Sequence, residues 1–186
     1  MSCLMFLSCS LSPQDEREVN AYFKNITEFY DVQTFTVNIP GVPDDEVIRI
    51  LKETIPKVDG IIVLWVPRYN INGSLPSLWT VLESVLGLAK DKPVYVFYER
   101  GIALEGPLKS IGKAQIEFNR WYFSNSEEHE RLCSWVRWIK EDIERKKVED
   151  FWKGVATVGS ILLAGLGIFG LGVLCGRASK QDSDKK

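Results

Sequence analysis

The chain has 186 residues and a mass of 21.2 kDa, with 45% hydrophobic and 26% charged residues, which excludes wholesale disorder and collagen-like repeats. This length holds one ordinary domain plus a short appendage. Net charge is −2. Residues 1–153 carry 19 Lys/Arg against 23 Asp/Glu and the last 33 residues carry 4 against 2, so no basic field exists and nucleic acid is not an expected partner. The single histidine, His129, argues against a His-based zinc site or a Ser-His-Asp triad, and no metal site is expected. Cys3, Cys9, Cys133 and Cys175 show no C-x-x-C spacing and are too sparse for a disulfide framework, which fits a reducing compartment.

Apolar runs alternate with helical patterns along residues 1–150. Cys3–Ser8 (CLMFLS) reads as a strand buried on both faces. Pro13 to Tyr30 reads as a helix, with Ser12 able to cap it and Val19, Tyr22, Phe23 and Ile26 at helical spacing. Val32–Asn38 alternates and is β-branched, a strand, and Pro40–Pro43 is a loop. Asp44 to Val58 is a second helix. Gly60–Val66 (GIIVLWV) is the strongest strand pattern and is expected at the centre of the sheet. A loop rich in Pro, Asn and Gly covers Pro67 to Pro76, and Ser77 to Lys90 is a third helix. Pro93–Tyr98 is a fourth strand, Gln115–Phe118 and Tyr122–Phe123 a fifth strand region, and Glu127 to Asp150 a long charged helix.

Strands alternating with helices imply a parallel sheet covered on both faces. Five of them fit a three-layer α/β fold with the flavodoxin-like order 2-1-3-4-5. In that order the first and third strands are neighbours with diverging exit loops, and ligands bind outside their carboxyl ends. Two segments therefore line the expected site: Ser8–Pro13, and Pro67–Ser77 with the start of the following helix.

Beyond the charged helix, Gly154 to Gly176 runs 23 residues without a charge, bracketed by Lys153 and Arg177, with Phe151 and Trp152 at the entry. About 20 helical residues cross a hydrocarbon core, so this segment is expected to span a membrane. Its seven glycines suit a membrane helix better than a water-soluble one. Ala156, Ser160 and Ala164 share one helix face, and Gly172 and Gly176 form G-x-x-x-G, a pattern that permits homo-oligomerisation and also arises by chance in glycine-rich spans. The start of the chain makes a poor signal peptide, so the expected topology is a single-pass C-terminal anchor with the main domain cytoplasmic.

At the expected site, Ser77 is a suitable N-cap after Pro76. Trp79 and Glu83 follow, four apart on one helix face. Leu78, Leu82, Val85 and Ala89 form the expected core stripe of this helix, and Glu83 lies away from it. On spacing alone Glu83 reads as a solvated helix-face charge, with catalysis as the alternative. Trp79 either stacks on a base or sugar or packs on the adjoining loop. Ser8 and Ser10 offer hydroxyls beside a helix N-terminus that can hold a phosphate. Arg68 and Tyr69 are candidates for phosphate or ribose contacts. Glu99 and Arg100 face the same end of the sheet. Neither G-x-x-x-x-G-K-[ST] nor G-x-G-x-x-G occurs.

The leading FLSCS, the GIIVLWV strand, the element Ser77-x-Trp79-x-x-x-Glu83 and the KPVYVF strand together resemble a Toll/interleukin-1 receptor (TIR) domain over roughly residues 3–123. They are also similar to the nucleoside 2-deoxyribosyltransferases, in which a comparable helix Glu precedes Lys-Pro-Val. The chain then divides into a TIR-like domain (1–125), a charged connecting helix (126–153), a transmembrane helix (154–176) and a polar tail (177–186). The resemblance implies chemistry at a ribosyl anomeric carbon with Glu83 as the acting carboxylate and Ser8, Ser10, Arg68, Tyr69, Ser77 and Trp79 around the substrate. NAD is the implied substrate, with no cofactor, and its cationic nicotinamide leaving group requires no separate general acid. Activation by oligomerisation and a defence role follow from the same likeness. The alternatives are a membrane-anchored nucleotide sensor or adaptor without chemistry, and a deoxyribosyltransferase-like enzyme.

Overall fold

The β-branched and aromatic runs form five strands: β1 (Cys3–Ser8), β2 (Val32–Phe35), β3 (Gly60–Trp65), β4 (Val94–Glu99) and β5 (Ala114–Phe118). They make one parallel sheet of order β2-β1-β3-β4-β5. This is the flavodoxin-like α/β fold expected from the alternation of elements. The computed structural model describes residues 3–9, 14–37, 43–66, 78–102, 110 and 112–178, the side chains of 14–16, 78–79 and 156–178 excepted. β3 is buried along its whole length. The register sets Ser8 beside Val63, Trp65 beside Tyr98 and Glu99 beside Phe118, so these strand ends share one edge of the sheet.

Three local expectations are corrected. The second strand stops at Phe35, where its pairing with Phe6 of β1 ends, and leaves out Thr36 and Val37. Tyr122 and Phe123 do not extend the fifth strand. Asn119 accepts a hydrogen bond from the Trp121 backbone N–H at 3.1 Å, which turns Arg120–Tyr122 into a 3-10 turn. The second helix, α2 (Asp44–Thr54), stops short of Val58 and tightens into a 3-10 turn over Ile55–Lys57, because Pro56 has no N–H to continue the α-helical ladder.

Helices cover both faces. Following β1, α1 (Gln14–Phe29) buries Val19, Phe23 and Ile26. Phe23 meets Phe97 and Phe118 edge-on, at centroid distances of 4.8 and 5.5 Å. Each such pair is worth about 0.5–1.5 kcal/mol beyond its buried area. On the other face Leu51, Ile55 and Val58 pack with Phe6, Ile61, Val63, Trp65 and Val96. Between β3 and β4 lies α3 (Leu78–Leu88). The last helix, α4 (Ser126–Ala178), is capped by Asn125, which accepts from the Glu127 N–H at 2.8 Å.

The chain forms two units, Met1–Glu144 and Arg145–Lys186. In the first, α4 contributes Leu132, Val136, Ile139 and Ile143 to the core beneath the sheet. Asp142 also accepts hydrogen bonds there from Tyr95 Oη at 2.6 Å and from Lys113 Nζ. In the second unit Val148, Phe151, Trp152 and Val155 are exposed at i, i+3, i+4 and i+7. Among the described residues no helix is long and apolar enough to cross a membrane, and the side chains of the uncharged segment from residue 156 lie outside that description.

Candidate active site

The buried face of α3 differs from the apolar stripe expected of it. Val85 is 43% exposed and Ala89 is exposed, whereas Thr80, Glu83 and Ser84 are buried. The reason is volume. A Cβ on Gly87 would lie 2.1 Å from Ile61 Cδ1 and 3.1 Å from Ile61 Cγ1, so the helix backbone sits close enough to β3 that a side chain there would have to displace Ile61. Thr80, Ser84 and Gly87 share one face at i, i+4 and i+7 and form a small-residue seam on the sheet. Glu83, one residue before Ser84 and four before Gly87, is carried into the protein with that seam. Val81 and Leu86 take the apolar load on the flank.

The carboxyl group delivered this way meets the end of β1. Glu83 Oε2 accepts a hydrogen bond from Ser8 Oγ, and Ser8 is the completely buried last residue of its strand. Because β1 lies beside β3 and the chain order reverses between them, the contact sits at the topological switch point where this fold class binds ligands. Burial pushes the Glu83 carboxyl up from the usual carboxylate range to about 7, and the Ser8 hydroxyl pulls partly in the opposite direction. The group is thus divided between acid and carboxylate near neutral pH. Such a group serves as a nucleophile, as a general base, or as a charge facing a developing cation.

Among the described residues of this unit, Glu83, Glu99 and Asp142 are buried acids, and they differ in their company. Asp142 receives Lys113 Nζ and Tyr95 Oη. Glu99, at the end of β4, receives Arg120 Nε at 2.6 Å in a pair with both side chains buried. Glu83 has Ser8 as its hydrogen-bond donor and no ion pair among the described residues.

Of the residues expected at the site, Ser8 and Glu83 are brought into contact. Trp79 lies on α3 four residues before Glu83, with its side chain outside the described residues. Ser10, Arg68, Tyr69 and Ser77 lie outside them altogether. Glu99 ends β4 on the expected edge, while Arg100 pairs outward with Glu117 at 3.3 Å. Arg120 was not among the expected site residues. Its one sequence signal is a cation two residues beyond β5, at the edge where Glu99 ends β4. Among the described residues no cluster of three His, Cys, Asp or Glu side chains is placed to hold a metal ion.

No family model matches this chain, and no curated protein matches it in sequence. Solved structures do match. A 2-deoxyribosyltransferase from Bacillus psychrosaccharolyticus superposes with a TM-score of 0.51 at 13% identity, over 67% of this chain and 91% of that one. A CMP N-glycosidase from Clostridium botulinum gives 0.48 at 14% identity, over 70% and 98% of the two chains. Oxidised flavodoxin 1 from Bacillus cereus gives 0.42 at 12% identity, over 75% and 98%. At these identities the likeness is one of fold.

Proposed function

We propose that this protein breaks the N-glycosidic bond of a nucleoside- or nucleotide-type small molecule, with Glu83 acting at the anomeric carbon. The observation that carries the reading is the buried Glu83 carboxyl at the β1/β3 switch point, held by Ser8 and raised to about 7. The fold shared with a 2-deoxyribosyltransferase supports it. The Ser8 hydrogen bond fixes one carboxylate oxygen and leaves the other for the substrate. As the C1′–N bond breaks, its electron pair leaves with the base, and the Glu83 oxygen bonds to C1′ or faces the oxocarbenium-like cation. Water or a second base then takes C1′ and the carboxylate is released. A neutral base leaves as an anion and takes a proton from solvent, whereas a cationic nicotinamide leaves neutral. NAD is therefore the second substrate to test, on the strength of the Ser77-x-Trp79-x-x-x-Glu83 element.

We also propose that the enzyme is held at a bilayer by Gly154–Gly176, as a single-pass anchor with the main domain cytoplasmic. The support is the uncharged length of that segment and the exposed Val148, Phe151, Trp152 and Val155 ahead of it. The small-residue face Ala156/Ser160/Ala164 supports self-association in that bilayer.

The test uses the full-length protein in detergent, incubated with a deoxynucleoside plus a second free base and, separately, with NAD. Released base is followed by chromatography. The expected result is base exchange, base release or nicotinamide release that falls at least about 100-fold in Glu83→Gln. Undiminished release from Glu83→Gln overturns the assignment of Glu83. No release of any base from folded wild-type protein overturns the enzymatic reading in favour of a ligand-binding role.

A further inference from the structure

Away from Glu83, three side chains of the first unit form a relay that the glycosidic chemistry does not use. Tyr22 on α1 places Oη 2.8 Å from Nδ1 of His129 on α4. The other ring nitrogen, Nε2, lies 3.5 Å from Cys133 Sγ. His129 and Cys133 are one helical turn apart, so a single segment of α4 supplies base and thiol. The phenol is fixed in turn. Its ring stacks on Phe123 with centroids 3.9 Å apart and planes 2° apart, and it meets the imidazole edge-on at 5.9 Å. Burial, then the neighbouring Cys133 and Glu128 charges, push the Tyr22 hydroxyl up to about 12, so it stays a neutral partner that can accept from Nδ1–H. A nucleophile beside a base that a third group orients is the arrangement of an activated thiol.

We propose that Cys133, His129 and Tyr22 form a second reactive centre, a thiol-modification site for small soft electrophiles and peroxides. His129 Nε2 takes the Sγ proton, and the resulting imidazolium keeps its Nδ1–H on the Tyr22 oxygen. The thiolate then attacks one oxygen of hydrogen peroxide. An S–O bond forms, the O–O bond breaks, and the imidazolium returns its proton to the departing hydroxide. The sulfur is oxidised to sulfenic acid, and the peroxide is reduced to water. His129 is exposed and Cys133 keeps 9% of its surface open, whereas Cys3 is wholly buried and Cys9 is partly exposed, so reactivity of Cys133 above that of Cys9 would reflect the His129 base and not access. The site is independent of Glu83, and its test reads no glycosidic chemistry.

The experiment treats the full-length protein with iodoacetamide, and in parallel with hydrogen peroxide followed by a 1,3-diketone that traps sulfenic acid. Each cysteine is quantified by peptide mass spectrometry over time. Labelling of Cys133 is expected at least about 10-fold faster than that of Cys3, and about 10-fold slower in His129→Gln than in the wild type. The conservative change Tyr22→Phe, which keeps the ring on Phe123, is expected to slow Cys133 as well. Cys133 labelling no faster than Cys3 in the wild type overturns the proposal, and so does an unchanged Cys133 rate in folded His129→Gln.

Discussion

A buried carboxyl that titrates near 7 has a consequence for folding that can be measured without knowing any substrate. Glu83 has an ordinary value of 4.5 in the unfolded chain and about 7 in the folded one. Below pH 4.5 both states hold the proton. Between 4.5 and 7 the folded state keeps a proton that the unfolded state has lost, so stability falls as pH rises. Above 7 both are ionised and the folded protein carries the whole penalty. A shift of roughly 2.5 units at 1.36 kcal/mol each is about 3 kcal/mol. Glu83→Gln has nearly the same volume, never ionises, and its amide oxygen still accepts from Ser8 Oγ. The variant should therefore gain about 3 kcal/mol over the wild type between pH 4.5 and pH 8, or about 9 °C in unfolding temperature for a domain of this size. Any pH-independent cost of the amide nitrogen affects both pH values equally and drops out of the difference. Thermal unfolding of both proteins by circular dichroism, at each pH, measures it. A wild-type-to-variant difference that is the same at pH 4.5 and pH 8 would refute the burial argument, and with it the claim that Glu83 is poised for chemistry.

Gly87→Ala separates packing from helix propensity. Propensity alone predicts a gain of about 1 kcal/mol, whereas a Cβ 2.1 Å from Ile61 Cδ1 predicts a loss of about 1–3 kcal/mol, reduced in the double variant with Ile61→Val, which lacks that methyl. Denaturant melts give the sign, and a stabilised Gly87→Ala would show that α3 does not sit as close to β3 as described. The anchor is checked by flotation with phosphatidylcholine vesicles. The full chain is expected to rise with the lipid and resist alkaline carbonate, while a chain ending at Lys153 stays in the dense fraction, and a full chain that stays there too would refute the anchor.

The sheet was legible in the sequence because its strands are buried on both faces. A run such as Gly60–Trp65 has little alternative to a central strand, and alternation with helices then restricts the strand order to a few choices. Two of the shifted element ends depend on single local features. The Asn119 side chain turning the chain after β5 is one, and the missing N–H of Pro56 is another. The face of α3 was not legible for a different reason. Its sequence, LWTVLESVLGL, has apolar residues on nearly every side, so hydrophobic periodicity does not pick out an inward face. Close approach to β3 does. Thr80, Ser84 and Gly87 are short enough to meet the sheet, and the larger Val85 and Leu88 are left partly exposed.

That same choice of face decides what Glu83 is. Read as a point on an apolar stripe, it falls on the polar side and belongs to solvent. Placed beside the small-residue seam, it becomes a carboxylate with 7% of its surface exposed, facing a strand end 75 residues earlier in the chain. A fold that needed only a structural acid here could compensate it, as the molecule does twice elsewhere. Asp142 has the Lys113 ammonium, and Glu99 has the Arg120 guanidinium. Cations of this kind offset the charge of a buried carboxylate. Among the described residues Glu83 has a single hydroxyl instead, which orients the group without neutralising it. This acid also stands at the switch point between β1 and β3, where folds of this class bind ligands. On the proposed chemistry, a cationic centre developing at a sugar carbon would supply a positive charge that the described residues do not, and the stability lost by burying Glu83 would become binding energy for the transition state.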